Sequence, residues 1–338
     1  MANGDTTSSR LGQVNAAGDA NALFLKVFSG EILTTFEEMN VMKDLHTVRT
    51  ISNGKSAQFP VTGIATAKYH TPGQNIADTG NSYLSQIKHA EKVINIDDLL
   101  VASTFISNID ELKNHYDIRS IYARELGKAL AKRFDLATMK TLVAAARSAT
   151  TITGGSAGIS QQGTFAAATP TSAELVAELF IAAQKLDEND IPNDGQRYAI
   201  LKPADYYTLL SSSEEIINRD FGGVGNVSNA TLPMAAGFRI YKSNHFSDID
   251  VAEAAQDQDD DNSNNDVFGG SGTGYNGDLS QSTIIGGHPS AVGTVKLLDL
   301  ATESDYKIEL QGTLFVAKYA MGHGVLRPEA SFEIKNDA

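Results

Sequence analysis

The sequence predicts an α+β protein, on three observations. One uninterrupted helical run spans Asp117 to Arg147, a polar segment at 47–96 reads as a long two-stranded excursion, and the chain turns strand-rich from Ala291 onward. The helical run contains no proline and one glycine, Gly127. Ile118, Tyr122, Leu126, Leu130 and Phe134 recur every fourth residue, and Ala129, Ala137 and Leu142 continue the stripe. That spacing builds one apolar face, with Arg119, Arg124, Lys128, Lys132 and Lys140 largely outside it. Asp117 is the expected N-cap, and the β-branched residues and glycines of Ser148–Gly155 stop the helix. At 1.5 Å per residue such a helix is about 45 Å long, which exceeds the ordinary helix of a globular domain. That length suits a protein that tiles a surface, and it also fits a core helix of an ordinary domain.

The other elements follow in order. Met1 to Asn21 is rich in Asn, Gly, Ser, Thr and Ala and is expected to be flexible when free. Ala22–Phe28 and Glu31–Glu38 form a short apolar segment with helical spacing in its second half. Strand formers at Val48–Ile51 and Phe59–Thr62 answer a second strand-like run at Tyr83–Asp97, and turn chemistry at Thr71–Gln74 and Asp78–Asn81 lies between them. An isolated hairpin is marginal in water, so one this long is expected to lean on another domain or subunit. Asp98–Asn108 is expected to lead to the long helix through a short helix at Ile109–Asn114, and Ser156–Pro170 reads as a loop. Thr171-Ser-Ala-Glu174 is a capping box that opens a helix to about Asn189. A strand at Arg197–Leu201 follows, then a helix begun by Pro203, then a strand at Gly237–Ser243. Ser247–Gly287 is low in complexity, acidic and then Gly-rich, and is expected to be an exposed loop. Strands are predicted at Val292–Leu298, Tyr306–Leu310, Thr313–Tyr319 and Ser331–Lys335.

Composition narrows the function. The 338 residues suffice for two domains or one elaborated domain. The chain has no cysteine, which excludes disulfides, thiolate metal sites and thiol catalysis. No apolar run follows basic residues at the N-terminus, so no signal peptide is expected, and no stretch reaches the length of a membrane span. A net charge of −14 without a basic run argues against a nucleic-acid grip.

Catalytic and metal motifs are weak. Asp257, Asp259 and Asp261 have the first spacings of a calcium loop, but its sixth position is Asn262 and its twelfth is Phe268, so the turn glycine and the bidentate ligand are missing. The glycines at 269–277 are not followed by Lys-Ser/Thr, and the seven histidines make no metal-ligating spacing. The sequence therefore predicts no catalytic residue, no cofactor and no metal. A soluble metal-binding or enzymatic protein using the Asp-rich loop is the alternative from another class.

Six stretches, in order along nearly the whole chain, resemble the major capsid protein of T-seven-like short-tailed phages. They are Ala22–Thr34, Ile51-Ser-Asn-Gly-Lys-Ser-Ala-Gln-Phe-Pro-Val61, His89–Asp97, Asn114–Ser120, Ser290–Leu297 and Ala317-Lys-Tyr-Ala-Met-Gly-His-Gly-Val-Leu-Arg-Pro-Glu-Ala330. Between Gly154 and Gly287 the similarity is looser. The resemblance implies the Hong Kong 97-type capsid fold. It implies an N-terminal arm at 1–47, an extended hairpin loop at 48–98, and a peripheral domain at 99–150 around a spine helix at 117–147. An axial domain at 151–290 with the flexible loop 247–287, and C-terminal strands at 291–338 shared by both domains, complete it.

The same resemblance implies a subunit that self-assembles into pentamers and hexamers of an icosahedral head around double-stranded DNA, which it encloses without sequence-specific binding. Scaffolding protein during assembly, a portal at one vertex, decoration proteins, assembly in the host cytoplasm and a final place in the virion go with it. A nanocompartment shell of the same fold is the nearer alternative. Expected inter-subunit contacts are Phe59 and Pro60, which stiffen the hairpin, the Pro72-Gly73 tip, and Arg119, Arg124, Lys128 and Lys132 on the helix. Lys55, Lys68, Lys88 and Lys92 sit in no cross-linking motif, so the shell is expected to be non-covalent.

Overall fold

A computed structural model describes residues 32, 34–36, 40–63, 65, 67–77, 83, 87, 89–107, 118–150, 155–166, 169–212, 232, 234–249, 275, 279 and 281–336. Helix α1 (Ile118–Arg147) is the element both sheets pack against. Its first half follows much of the stripe read from sequence: Leu130 is buried, Tyr122 and Leu126 are half-buried, and Arg124 and Lys132 are exposed, but Ala129, expected on the stripe, is exposed and Ala123 is buried in its place. The second half does not. From Phe134 to Ala146 every residue but Ala137 is buried, including Asp135, Thr138, Lys140 and Thr141. Lys140, expected off the apolar face, is 3% exposed. A helix enclosed on all sides needs no single stripe, and this half meets both sheets, Phe134 against Tyr319 of one and Arg147 on Glu333 of the other. The expected cap Asp117 and the short helix at 109–114 lie outside the described residues.

The first sheet has four strands, in the order β1 (Thr47–Thr50), β10 (Val292–Lys307), β11 (Gly312–Val325), β4 (Leu100–Ser107). Strand β1 runs parallel to β10, and β10–β11–β4 are antiparallel. Three expectations are corrected here. The strand formers at Val48–Thr50 join this sheet and not the ribbon. Leu100–Ser107, read as a lead-in, is a full strand of eight residues paired with Gly312–Tyr319. Val292–Lys307 is one strand with register shifts after Lys296 and Leu298, and the reversal at Ile308–Gln311 begins inside the predicted Tyr306–Leu310 strand.

The second sheet has six strands, in the order β5 (Ile159–Gln162), β12 (Ser331–Lys335), β9 (Ser282–Gly287), β6 (Tyr198–Leu201), β8 (Phe238–Lys242), β7 (Met234–Ala235). Helix α2 (Ser172–Glu188) opens on the predicted capping box: the Thr171 side chain accepts from the Glu174 N–H, and Glu174 accepts from the Thr171 N–H at 2.8 Å. Its Leu175, Leu179, Ala182 and Leu186 are fully buried, worth about 1.5–3 kcal/mol for each leucine. Helices α3 (Pro203–Ser212) and α4 (Asn244–Ile249) and a 3₁₀ turn at Pro328–Ala330 lie between and beside these strands. Two strands were read as loop. Strand β5 has only four residues. Strand β9 is buried at all six positions and lies in the middle of the sheet, so Ser282–Gly287 is not part of an exposed loop. A strand covered on both faces shows no alternation, and Ile284-Ile285 stand among Ser, Thr and Gly.

Buried ionic groups join these parts. Glu333 of β12 is 0% exposed and receives Arg147 Nε at 2.8 Å, Arg147 Nη2 at 2.6 Å, Ser160 Oγ at 3.1 Å and Ser282 Oγ at 2.6 Å. The end of α1 is thereby clamped to the second sheet. Near the middle of α1, Asp135 is also 0% exposed and accepts the Val41 N–H at 3.0 Å and the Met42 N–H at 3.1 Å, with His245 Nδ1 at 2.9 Å. Phe134 holds two buried imidazoles, His46 at 5.6 Å and His323 at 5.2 Å between ring centroids.

Candidate assembly interface

Strands β2 (Ser56–Thr62) and β3 (His89–Asn95) pair antiparallel as a separate two-stranded ribbon. Alternation along β2 and β3 turns Ala57, Phe59, Val61, Ala90, Lys92 and Ile94 to one face and leaves Gln58, Pro60, Thr62, Glu91 and Val93 exposed. The inner face at the ribbon's root is seated on the four-stranded sheet: Ala57, Ile94 and Ile96 pack with Val295, Ala320 and Leu326, and Phe59 lies against that cluster. The seat needs close backbone approach. A Cβ at Gly322 would lie 1.9 Å from the Asn95 carbonyl oxygen. The Ile96 N–H donates to the Lys55 carbonyl at 2.9 Å, and the Asp97 N–H to the Met321 carbonyl at 3.2 Å. Arg49 covers the Phe59 ring at 5.6 Å and donates to the Gln58 carbonyl at 2.6 Å.

Beyond the seat, residues 65, 67–77 and 87 are exposed. Thr71–Gln74 forms a turn with Pro72 second, Gly73 third at φ 93°, and the Gln74 N–H on the Thr71 carbonyl at 3.2 Å, the pattern of a type II turn. Tyr83 fastens it: its hydroxyl accepts the Thr71 N–H at 3.0 Å and donates to the Gln74 side-chain oxygen, and the His70 ring sits 5.4 Å from the phenol ring. Hydrogen bonding from Thr71 holds the Tyr83 phenol below its usual pKa. Tyr69 is entirely exposed, at 102%, and Ile76 is 55% exposed.

A groove of about 760 Å³ runs beside the ribbon's root. Phe59, Pro60 and Leu326 supply its apolar wall, and Glu188, Asp190 and Glu329 its acidic rim. The end of α2 carries two of these carboxylates. Asp190 follows the helix in a left-handed conformation, at φ 55°. The Asn189 side chain ties this corner to the Glu329 carbonyl at 3.3 Å. Arg327, also in the lining, pairs with Glu329 at 2.8 Å.

Of the residues singled out in sequence, Phe59 and Pro60 face this groove. Pro72 and Gly73 stand at the exposed turn. Arg124 and Lys132 are exposed on the first half of α1, and Lys128 pairs with Glu125 at 2.7 Å; none of the three lines the groove. The Arg119 side chain and the Asp257–Asp266 loop lie outside the described residues. Among the described residues no group of three or more His, Asp or Glu is placed to hold a metal ion. Sequence reasoning passed over Tyr69 and the rim carboxylates. Only Lys68-Tyr69-His70 carried a local signal, an aromatic between a lysine and a histidine beside a Pro-Gly turn.

A long helix gripped between two sheets, with a ribbon projecting from its seat on one of them, is the architecture of a Hong Kong 97-type capsid protein. The capsid structure of cyanophage P-SCSP1u is 38% identical and superposes with a TM-score of 0.74 over 98% of this chain and 99% of that one. Residues 58–335 match the Gp10A-like major capsid protein family. The chain is 36% identical to the major capsid protein of Escherichia phage T7, over 94% of this chain and 93% of that protein. It is 33% identical to the major capsid protein of Enterobacteria phage T3, over 97% and 95%. The chain belongs to the Gp10A-like major capsid protein family.

Proposed function

We propose that this chain is the repeating subunit of the icosahedral head of a short-tailed phage, closing into pentamers and hexamers around double-stranded DNA. The exposed ribbon carries this reading. A two-stranded ribbon does not hold itself in water, and this one is seated at its root while Tyr69 and Ile76 stand in solvent. Such apolar exposure is accounted for when a neighbour covers it. Head-to-tail contacts of this kind close rings.

In this reading α1 is the spine of a peripheral domain, and the six-stranded sheet with α2 and α3 belongs to the axial domain at the capsomer centre. The ribbon is the extended loop laid over an adjacent subunit. Phe59 and Pro60 stiffen it, Pro72 and Gly73 shape its tip, and Arg119, Arg124, Lys128 and Lys132 meet acidic groups of a neighbour. The net charge of −14 suits a wall that confines DNA without gripping it. Scaffolding protein in the precursor, a portal at one vertex and decoration proteins are its expected partners. The contacts are non-covalent, so assembled particles dissociate on boiling in detergent.

Coexpression with the scaffolding protein of its phage, followed by electron microscopy, tests the reading. Closed shells of uniform size are expected. A monodisperse monomer or small oligomer overturns it.

A further inference from the structure

We infer that the Lys68-Tyr69-His70 limb of the ribbon docks in the groove between ribbon root and α2 of a second copy of this chain. The inference rests on the shell reading and names the receptor for the ribbon within it.

Three observations carry it. First, Tyr69 is 102% exposed and is not part of the groove of its own chain. A wholly exposed tyrosine beside a lysine has the form of an interface anchor, a rigid ring with a polar tip. Second, the groove offers the complement: an apolar wall of Phe59, Pro60 and Leu326, and three carboxylates against the single guanidinium of Arg327. Third, charge is divided along the chain. Residues 47–96 carry five lysines and arginines against two acidic residues, whereas the whole chain carries 27 against 41. A basic ribbon on an acidic chain finds its favourable partner on another copy, and complementary charge fixes register as well as encounter. The fastened turn at Thr71–Gln74 means little ordering cost falls on the limb when it docks.

The absence of cysteine from the chain gives a clean test. Shells of the double variant Tyr69→Cys/Asp190→Cys are oxidised and run under denaturing, non-reducing conditions. A ladder of covalent multimers above the dimer is expected, and it is absent from either single variant. Shells without a ladder, or a link formed only within one chain, overturn the inference and leave the shell reading standing. Failure of the parent chain to form any shell overturns the shell reading itself. Should the double-cysteine chain not assemble, a charge exchange decides. Lys68→Glu and Glu188→Lys are each expected to lower shell yield at least fivefold, and their combination to return it within twofold of the parent. Parent-like yields in both single variants, or no recovery in the pair, overturn the docking.

Discussion

Replacing Arg147 with methionine keeps most of the aliphatic stem and removes the guanidinium that clamps the end of α1 to β12. Glu333, 0% exposed, would keep only two serine hydroxyls at 3.1 and 2.6 Å and the Lys335 ammonium at 3.9 Å. Leaving one member of a buried pair without its partner costs about 3–5 kcal/mol. The Arg147 side chain is 25% exposed, so solvent screens only a small part of this. With about 2–4 °C lost per kcal/mol in domains of this size, the melting temperature of the unassembled subunit should fall on the order of 10 °C. The exposed Glu125–Lys128 pair, with side chains 64% and 44% exposed, is the internal standard. Lys128→Met should cost less than about 0.5 kcal/mol. Combining Arg147→Met with Glu333→Gln should recover part of the loss, because no charge then stays buried alone. Scanning calorimetry on the four proteins decides. If Arg147→Met melts within about 2 °C of the parent, the clamp does not hold the helix to the sheet and the reasoning is refuted.

Other perturbations test other parts. Burial lowers the pKa of His323 to about 3, and His46 is lowered for the same reason. Both imidazoles are neutral when folded and take up protons when unfolded, so stability is unaffected above pH 6.5 and declines as pH falls below it. His323 alone should cost about 3 kcal/mol at pH 4.5; His323→Gln should flatten the slope of melting temperature between pH 6.5 and 4.5, and an unchanged slope counts against it. The Tyr198 hydroxyl is fully buried and has no hydrogen-bond partner among the described residues, and its pKa is raised by desolvation. Tyr198→Phe should therefore stabilise the subunit by about 1 kcal/mol in urea unfolding, and a clear loss would show that the hydroxyl is paired. Gly322→Ala places a methyl group 1.9 Å from the Asn95 carbonyl oxygen. It should cost about 1–3 kcal/mol or more and abolish shells seen by microscopy while the six-stranded sheet stays folded; normal shells would mean that the ribbon is not seated there.

Elements whose signals are local were legible in sequence. The long helix, the Thr171–Glu174 box, the Pro203 helix start and the Pro72-Gly73 turn each rest on residues within a few positions of one another. Elements fixed by distant neighbours were not. Strand β4 exists because β11 lies alongside it, and β9 because β12 and β6 enclose it. Lys140 is buried because two sheets meet at α1. The site divides in the same way. Phe59 and Pro60 drew attention as ribbon residues, but Glu188, Asp190 and Glu329 form a rim only because the end of α2 meets the turn before β12, 140 residues away, through Asn189. No window along the chain contains that encounter.

The distribution of constraint explains how one chain can serve as a building block. Charges are buried where parts of the subunit must not shift: Glu333 and Arg147 fix α1 to one sheet, and Asp135 fixes the backbone at Val41 and Met42 to the same helix. Each of these carboxylates is multiply bonded, so no low-cost alternative register is available where α1 meets β12 and the Val41–Met42 backbone. Exposed apolar side chains on the ribbon excursion and the first sheet include Tyr69, Ile76 and Val93, Val101 on the edge strand β4, and Ile308 in the β10–β11 reversal. Their burial can contribute only when another copy arrives. Substitutions at the clamps should therefore lower the melting temperature of the free subunit, whereas Tyr69→Ala and Ile76→Ser should leave it unchanged and lower only shell yield. A drop in subunit melting temperature for either ribbon variant would show that the ribbon belongs to the fold of the single chain and not to its association.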